Sequence, residues 1–413
     1  MNKKTHCPYR QTKNLQDALT PGKMRVAFLL GAGCPVSIRM KDGSYCSSDD
    51  AVGTSPLIPD IAGLTQYVKT EIEKSEEFKD SFAEIWSRLE GDNPASKVTI
   101  EDVLSHIRTL QDVVREGAIG GLNKLSLSKL DSKICDITTD KVNAVLPAEE
   151  NAYRHLASWI RDGQHAHAVE IFTPNYDLLL EQGLEAKKIP YFDGFVGSRQ
   201  AFFDLATMEA DKAGSLPERW ARLWKLHGSV NWWRVATDAG NKEFDVVRIE
   251  KRPENADQQM IYPSHLKYDQ SRRMPYLAML DRFRSFLGRG QVVLVVCGYS
   301  FLDQHLNEVI LHGLRSNPSA ICFGLLFSKR SDYPDAIAKA KQHHNLTILA
   351  KDGAVIGRQE ADWSVVGEQT NSPFHGVSVE NAEFQLGDFK RLGEFLSQQL
   401  SFRSHGEGDS DAK

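Results

Sequence analysis

Four short segments carry residue types that could hold a nucleotide and act on it: LLGAGCPVS (29–37), FTPNYDLLLE (172–181), KLHGSVNWW (225–233) and VVCGYSFLD (295–303). In the first, Gly31 and Gly33 allow a sharp backbone turn and close approach to a phosphate. Pro35 suits the first turn of a helix, where a missing amide is tolerated, and that helix N-terminus would face an anion. In the second, Asn175 follows an apolar run and offers both a donor and an acceptor, so it can hold a ribose hydroxyl and a water together; Asp177 stands beside it. In the third, His227 precedes Gly228 and Ser229, and an imidazole titrating near pH ~6.5 suits proton transfer to or from a hydroxyl. In the fourth, Gly298 permits close approach of a ligand, while Ser300 and Asp303 can bond to ribose or adenine groups and Asp303 can cap the helix that follows.

Each segment taken alone has a plainer explanation. Gly-Ala-Gly can be a tight strand-to-helix turn, Asn-Tyr-Asp a strand-end turn, and a single histidine among 13 is ordinarily structural. Capping by Asp303 is expected on either view. A dehydrogenase fingerprint is excluded, because Val36 stands where the third glycine belongs and no second strand ends in an acid about twenty residues further on.

The elements that must position these residues are legible in outline. Short apolar runs at 25–30, 168–173, 223–227, 291–298 and 320–327 predict buried strands, and their alternation with helical stretches predicts an α/β fold: a Rossmann-like, mostly parallel sheet with helices on both faces. From Asp60 to about Gly163 the period becomes helical. Ile100, Val103, Leu104, Ile107, Leu110 and Val114 share one face, and Thr99 can cap that helix. This large helical insertion is longer than a crossover helix needs and is expected to be a lid or an assembly surface. Residues 41–59 read as a long loop, and 232–281 give no consistent period apart from a short strand around FDVVRIE. A last helix is expected at 387–400. The expected division is an N-terminal extension (1–24), a nucleotide-binding catalytic domain (25–335), a C-terminal α/β extension (336–400) and a disordered polar tail (401–413).

Bulk properties narrow the function. At 413 residues the chain exceeds what one core usually supports, so two domains or one domain with a large insertion are expected. A net charge of -5 argues against tight direct nucleic-acid binding. No apolar run approaches the roughly 20 residues that cross a bilayer, and the start MNKKTHCPYRQTKN lacks an apolar signal core, so a cytoplasmic location is expected. The six cysteines, Cys7, Cys34, Cys46, Cys135, Cys297 and Cys322, form no C-x-x-C pair, which indicates neither a disulfide framework nor a zinc site; no metal is expected.

The ordered set GAG, T-x-N-Y-D, L-H-G-S and G-Y-S-F-x-D resembles the sirtuin-like family over about Arg25 to Phe327, and its bacterial antiphage-defence branch more than its histone-deacetylating branch. The resemblance implies NAD as substrate on a Rossmann-like sheet and cleavage of the bond between nicotinamide and ribose. On that basis Asn175 orients the ribose and the attacking water, His227 acts as general base, and Asp177 supports the loop. Gly31, Ala32, Gly33, Cys34 and Ser37 would surround the phosphates and ribose. Gly298, Tyr299, Ser300 and Asp303 would hold the adenosine end, and Thr173, Gly228 and Ser229 would complete the binding loops. Nicotinamide is already a cationic leaving group, so the main work is positioning and stabilising an oxocarbenium-like state.

Two departures from the deacetylating branch matter. Its four zinc cysteines are absent, and its Phe-Arg pair after Ile-Pro-Asp is replaced, since this chain reads Ile58-Pro59-Asp60-Ile61-Ala62. Asp60 would then cap the first inserted helix. The expected activity is an NAD+ glycohydrolase that yields nicotinamide and ADP-ribose and depletes NAD in antiphage defence. A protein deacylase and a non-catalytic NAD or ADP-ribose module are the other readings. The apolar faces of the inserted helices suggest a surface for a homo-oligomer or a partner, and the resemblance implies as partner a HerA-type hexameric ATPase in preference to an Argonaute. The roles of Tyr176, Trp232 and His265 stay open.

Overall fold

Runs of Val, Ile, Leu and Phe with no polar side are strands covered on both faces, and here they build the middle of one sheet. The computed structural model describes residues 4–22, 24–47, 52–92, 98–114, 117–119, 121–212, 214, 216–236, 244–253, 257–260, 274–365 and 375–406. The central sheet has ten strands: Thr5–His6 (β1), Arg25–Leu30 (β2), Glu170–Thr173 (β3), Tyr191–Phe192 (β4), Ala221–Lys225 (β5), Val292–Cys297 (β6), Ala320–Leu325 (β7), Leu346–Ala350 (β8), Gly353–Ile356 (β9) and Gln359–Trp363 (β10). Their order across the sheet is β1-β10-β9-β8-β7-β6-β2-β3-β5-β4. All neighbours pair parallel except β8 with β9 and β9 with β10.

Counted in chain order, the strands β2, β3, β5, β6, β7 and β8 lie 3-2-1-4-5-6, the doubly wound order of a Rossmann-like sheet. The winding therefore reverses between β2 and β6, and the crevice beyond their carboxyl ends is where such sheets bind ligands. Both faces are packed. Val26, Phe28 and Leu30 of β2 enter one apolar layer, while Ala27 and Leu29 enter the other.

The helices are Pro8–Ala18 (α1), Gly33–Val36 (α2), Ile61–Glu73 (α3), Lys79–Asp92 (α4), Ile100–Val113 (α5), Lys124–Val142 (α6), Ala152–Asp162 (α7), Leu179–Ala186 (α8), Leu205–Lys212 (α9), Tyr276–Leu287 (α10), Gln304–Ser316 (α11), Pro334–Gln342 (α12) and Phe389–Gly406 (α13). Helices α3 to α7 are the inserted set. Asp60 caps α3 by accepting from the Gly63 amide at 2.8 Å, and Thr99 forms a capping box with Asp102 at the start of α5. Helix α13 lies on α7, where Gly393 faces Ala152 so closely that a Cβ would sit 2.8 Å from its Cα.

The structure differs from the sequence reading in four places. Residues 41–59 are not all loop: Arg39–Lys41, Ser44–Tyr45 and Ser55–Pro56 form a small three-stranded sheet, with strands too short to show a period. A second, five-stranded antiparallel sheet joins Phe195–Val196, Ala201–Phe203, Phe244–Arg248, Gly228–Ala236 and Asp257–Met260. Its strand Phe244–Arg248 is the one expected around FDVVRIE; the long strand Gly228–Ala236 is hidden in the sequence because both of its faces are largely covered, which erases the alternation. The expected tail is helical as far as Gly406, and 407–413 lie outside the described residues. Residue 335, the expected domain boundary, falls within α12; β8 to β10 continue the same sheet, and β1 of the N-terminal segment pairs with β10.

Candidate active site

Strands β2, β3, β5 and β6 each deliver one of the four segments to the same edge of the sheet. A cavity of about 370 Å³ opens there, within the size range of small-molecule sites. One side is made by Ala32, Asn175, Asp177, His227, Gly298, Tyr299, Ser300 and Asp303 from the sheet loops. The other side is the insertion, through Ile61, Leu64, Ile100 and Leu104 with Glu101 and Thr138, together with Ile58 just before it. The inserted helices thus form a wall of the site.

The two glycine loops interlock. The Gly31 amide donates to the Cys297 carbonyl at 3.0 Å, and the Gly33 amide donates to that of Gly298 at 2.8 Å. A Cβ on Gly33 would sit 2.8 Å from the Gly298 Cα; Gly298 itself has φ +66°, and its own Cβ would lie 2.6 Å from the Cys34 nitrogen. These glycines are therefore demanded by loop-to-loop packing, whereas the sequence suggested approach to a phosphate. Cys34 is fully buried and its thiol, pushed well up by burial, donates to the Cys297 carbonyl at 3.4 Å. Ser37 donates to the Cys34 carbonyl at 2.8 Å. Gly31, Gly33, Cys34, Ser37, Thr173, Gly228 and Ser229 are not among the residues that line the cavity.

Thr173 ties β3 to β2: its hydroxyl donates to the Leu30 carbonyl at 2.7 Å and accepts from the Asn175 amide at 3.0 Å. The Asn175 side-chain amide then donates to the Gly31 carbonyl at 3.0 Å, which fixes this half-buried residue on the cavity wall. Asp177 is buried and accepts from the Leu179 amide at 3.0 Å, opening α8. Burial pushes its carboxyl up to about 6, opposed by the nearby Lys225 ammonium.

His227 is buried, and its Nε2 lies 3.5 Å from the Asp303 Oδ2. Asp303 also caps α11 as expected, its Oδ1 accepting from the Leu306 amide at 3.1 Å. Gly228 has φ +89°, the left-handed turn that starts the next strand, and Ser229 is fully buried.

A group that the sequence reading missed lies just beneath. Lys225, 2 % exposed, donates to Glu181 Oε1 at 2.8 Å, to Ser229 Oγ at 2.9 Å, to the Tyr176 carbonyl at 3.4 Å and to the Asp177 carbonyl. A buried ammonium with this many acceptors is satisfied, and it clamps the Asn175–Asp177 loop to the turn after His227. The signal is present in the sequence as a lysine and a glutamate inside otherwise apolar runs, RLWKL and DLLLEQGL.

Of the open residues, Tyr176 lines the cavity, Trp232 is core with its ring 4.9 Å from that of Phe195, and His265 lies outside the described residues. Among the described residues no three His, Cys, Asp or Glu side chains are grouped to hold a metal ion, and no helix is long and apolar enough to cross a membrane.

No curated protein matches this chain. Among solved structures, a Sir2 homologue mutant in complex with ADP-ribose aligns at 13% identity over 96% of this chain and 98% of its own, with a TM-score of 0.37. A structure titled for the mechanism and regulation of Sir2 enzymes aligns at 10% identity over 97% of this chain and 100% of its own, with a TM-score of 0.40. Residues 169–349, which carry three of the four site segments, match the family model of the SIR2-like domain.

Proposed function

We propose that this protein is an NAD+ glycohydrolase that releases nicotinamide and ADP-ribose. The observation that carries this reading is the cavity at the winding reversal, which brings Asn175 and His227 together with Gly298, Tyr299 and Ser300 on one side and an apolar wall on the other. The match of 169–349 to the SIR2-like domain supports NAD as the nucleotide.

In the reaction, the bond between ribose C1′ and the pyridinium nitrogen breaks and its electron pair neutralises the nicotinamide. Water forms the new bond to C1′ and gives up a proton. Asn175 positions the ribose and that water, and the His227 imidazole takes the proton before passing it to solvent. The apolar side chains Ile58, Ile61, Leu64 and Ile100 suit a flat aromatic ring. The motif set further supports a role in antiphage defence, in the cytoplasm, as a homo-oligomer working with a HerA-type hexameric ATPase.

Purified protein incubated with NAD+, alone and with that ATPase, is expected to give nicotinamide and ADP-ribose in equal amounts with no acylated peptide present. Product formation only with an acetylated peptide, as O-acetyl-ADP-ribose, would overturn the proposal in favour of deacylation.

A further inference from the structure

Asp303 is held through its backbone as well as by its side-chain helix cap. Its Oδ1 accepts from the Leu306 amide at 3.1 Å, and its carbonyl accepts from the Asn307 amide at 3.0 Å and lies 3.0 Å from the Tyr299 hydroxyl. Asn307, 3 % exposed, braces the same loop from below. Its side-chain oxygen lies 3.0 Å from the Tyr299 hydroxyl, and its amide donates to the Phe301 carbonyl at 2.7 Å. Phe301 has φ +58°, a conformation that costs a non-glycine residue free energy and persists only where the surroundings impose it. The outcome of this bracing is one geometric fact: Oδ2 of Asp303 stands 3.5 Å from Nε2 of His227, both side chains being nearly buried on the cavity wall.

We propose that Asp303 is the positioning residue of His227, fixing its ring and holding the proton on Nε2 so that Nδ1 is the base. A neutral imidazole that donates from one nitrogen accepts at the other, so a carboxylate beside Nε2 selects the tautomer. The same carboxylate stabilises the imidazolium formed when the base takes a proton. This role differs from the contact with adenosine that the motif resemblance implies for Asp303, and it rests on the proposed glycohydrolase reading only for its kinetic test.

Among the described residues, the other ionisable groups on the cavity wall are Asp177 and Tyr176 from the loop after β3, Tyr299 from the loop after β6 and Glu101 from α5, with Lys225 behind the His227 turn. All of these are unchanged in the variant that tests the proposal, Asp303→Asn. Asparagine caps a helix as well as aspartate does, so α11 and the thermal midpoint should be retained while the charge beside His227 is lost.

With NAD+ as substrate and nicotinamide release as readout, D303N should lower kcat by two to four orders of magnitude, with little change in KM. In the protein without NAD+, the His227 imidazole resonance, assigned by its loss in H227Q, should titrate at least about one pH unit lower in D303N than in wild type. An unchanged His227 titration overturns the proposal, as does a variant whose KM rises while kcat stays at the wild-type value. If the wild type releases no nicotinamide, the glycohydrolase reading fails, and the titration still decides the pairing.

Discussion

Asn175 is held by its own side chain, through the bond to the Gly31 carbonyl, whereas His227 is approached by a carboxylate from a different element. Both positions were legible because each follows an apolar strand directly, where side chains reach the ligand edge of a parallel sheet. The partners Asp303 and Lys225 were not legible in their roles. A pairing between residues on separate elements leaves no periodic trace, and only the oddity of a charge in an apolar run marks Lys225 and Glu181. Asp177 makes a residue-scale prediction. Its folded-state pKa of about 6 lies above the unfolded value of 3.8, so the stability it contributes is fully present below pH ~3.8 and is lost as pH rises through about 6. A tenfold change in proton affinity corresponds to about 1.4 kcal/mol, so Asp177→Asn should remove a pH-dependent loss on the order of 3 kcal/mol between pH ~4 and ~7. Denaturant unfolding at a series of pH values checks this; the same slope in D177N and wild type would contradict it.

Among the elements, β8 is not one of the strands expected from the sequence, whereas β2, β3, β5, β6 and β7 show as apolar runs, and α5 as a clean helical stripe with its Thr99 cap. The strand Gly228–Ala236 does not, because Trp232 and Trp233 point to opposite faces and both are buried. Periodicity reports a difference in environment between faces, and it fails where there is none. The sequence of the inserted helices suggests a lid or an assembly surface without evident chemistry, yet their apolar side chains close one side of the cavity. Leu64 of α3 is only partly buried and lines that side. Leu64→Trp should therefore project bulk into the cavity at a stability cost of about 1–3 kcal/mol while lowering NAD+ cleavage at least about tenfold. Nicotinamide release beside a thermal melt checks it, and full activity in a folded L64W protein would show that the insertion does not bound the substrate.

At the scale of the molecule, a sheet in 3-2-1-4-5-6 order places its winding reversal between β2 and β6, and the inserted helices cover the crevice that results. The class of sheet was legible from strand and helix alternation, whereas the strand order was not, since it depends on long-range pairings such as β2 with β6 across the whole insertion. The insertion thus separates the Gly31 and Asn175 loops in the chain, while the bond between those two residues joins them in space. The decisive comparison is nicotinamide release from NAD+ by the wild type, Asn175→Ala and His227→Ala, all checked for folding and supplied with the same HerA-type ATPase. General acid–base and positioning groups contribute about 10²–10⁴-fold, so both variants should lose at least two orders of magnitude in kcat while melting close to the wild type. Wild-type rates in either folded variant would contradict the assignment of Asn175 and His227 as the chemical pair.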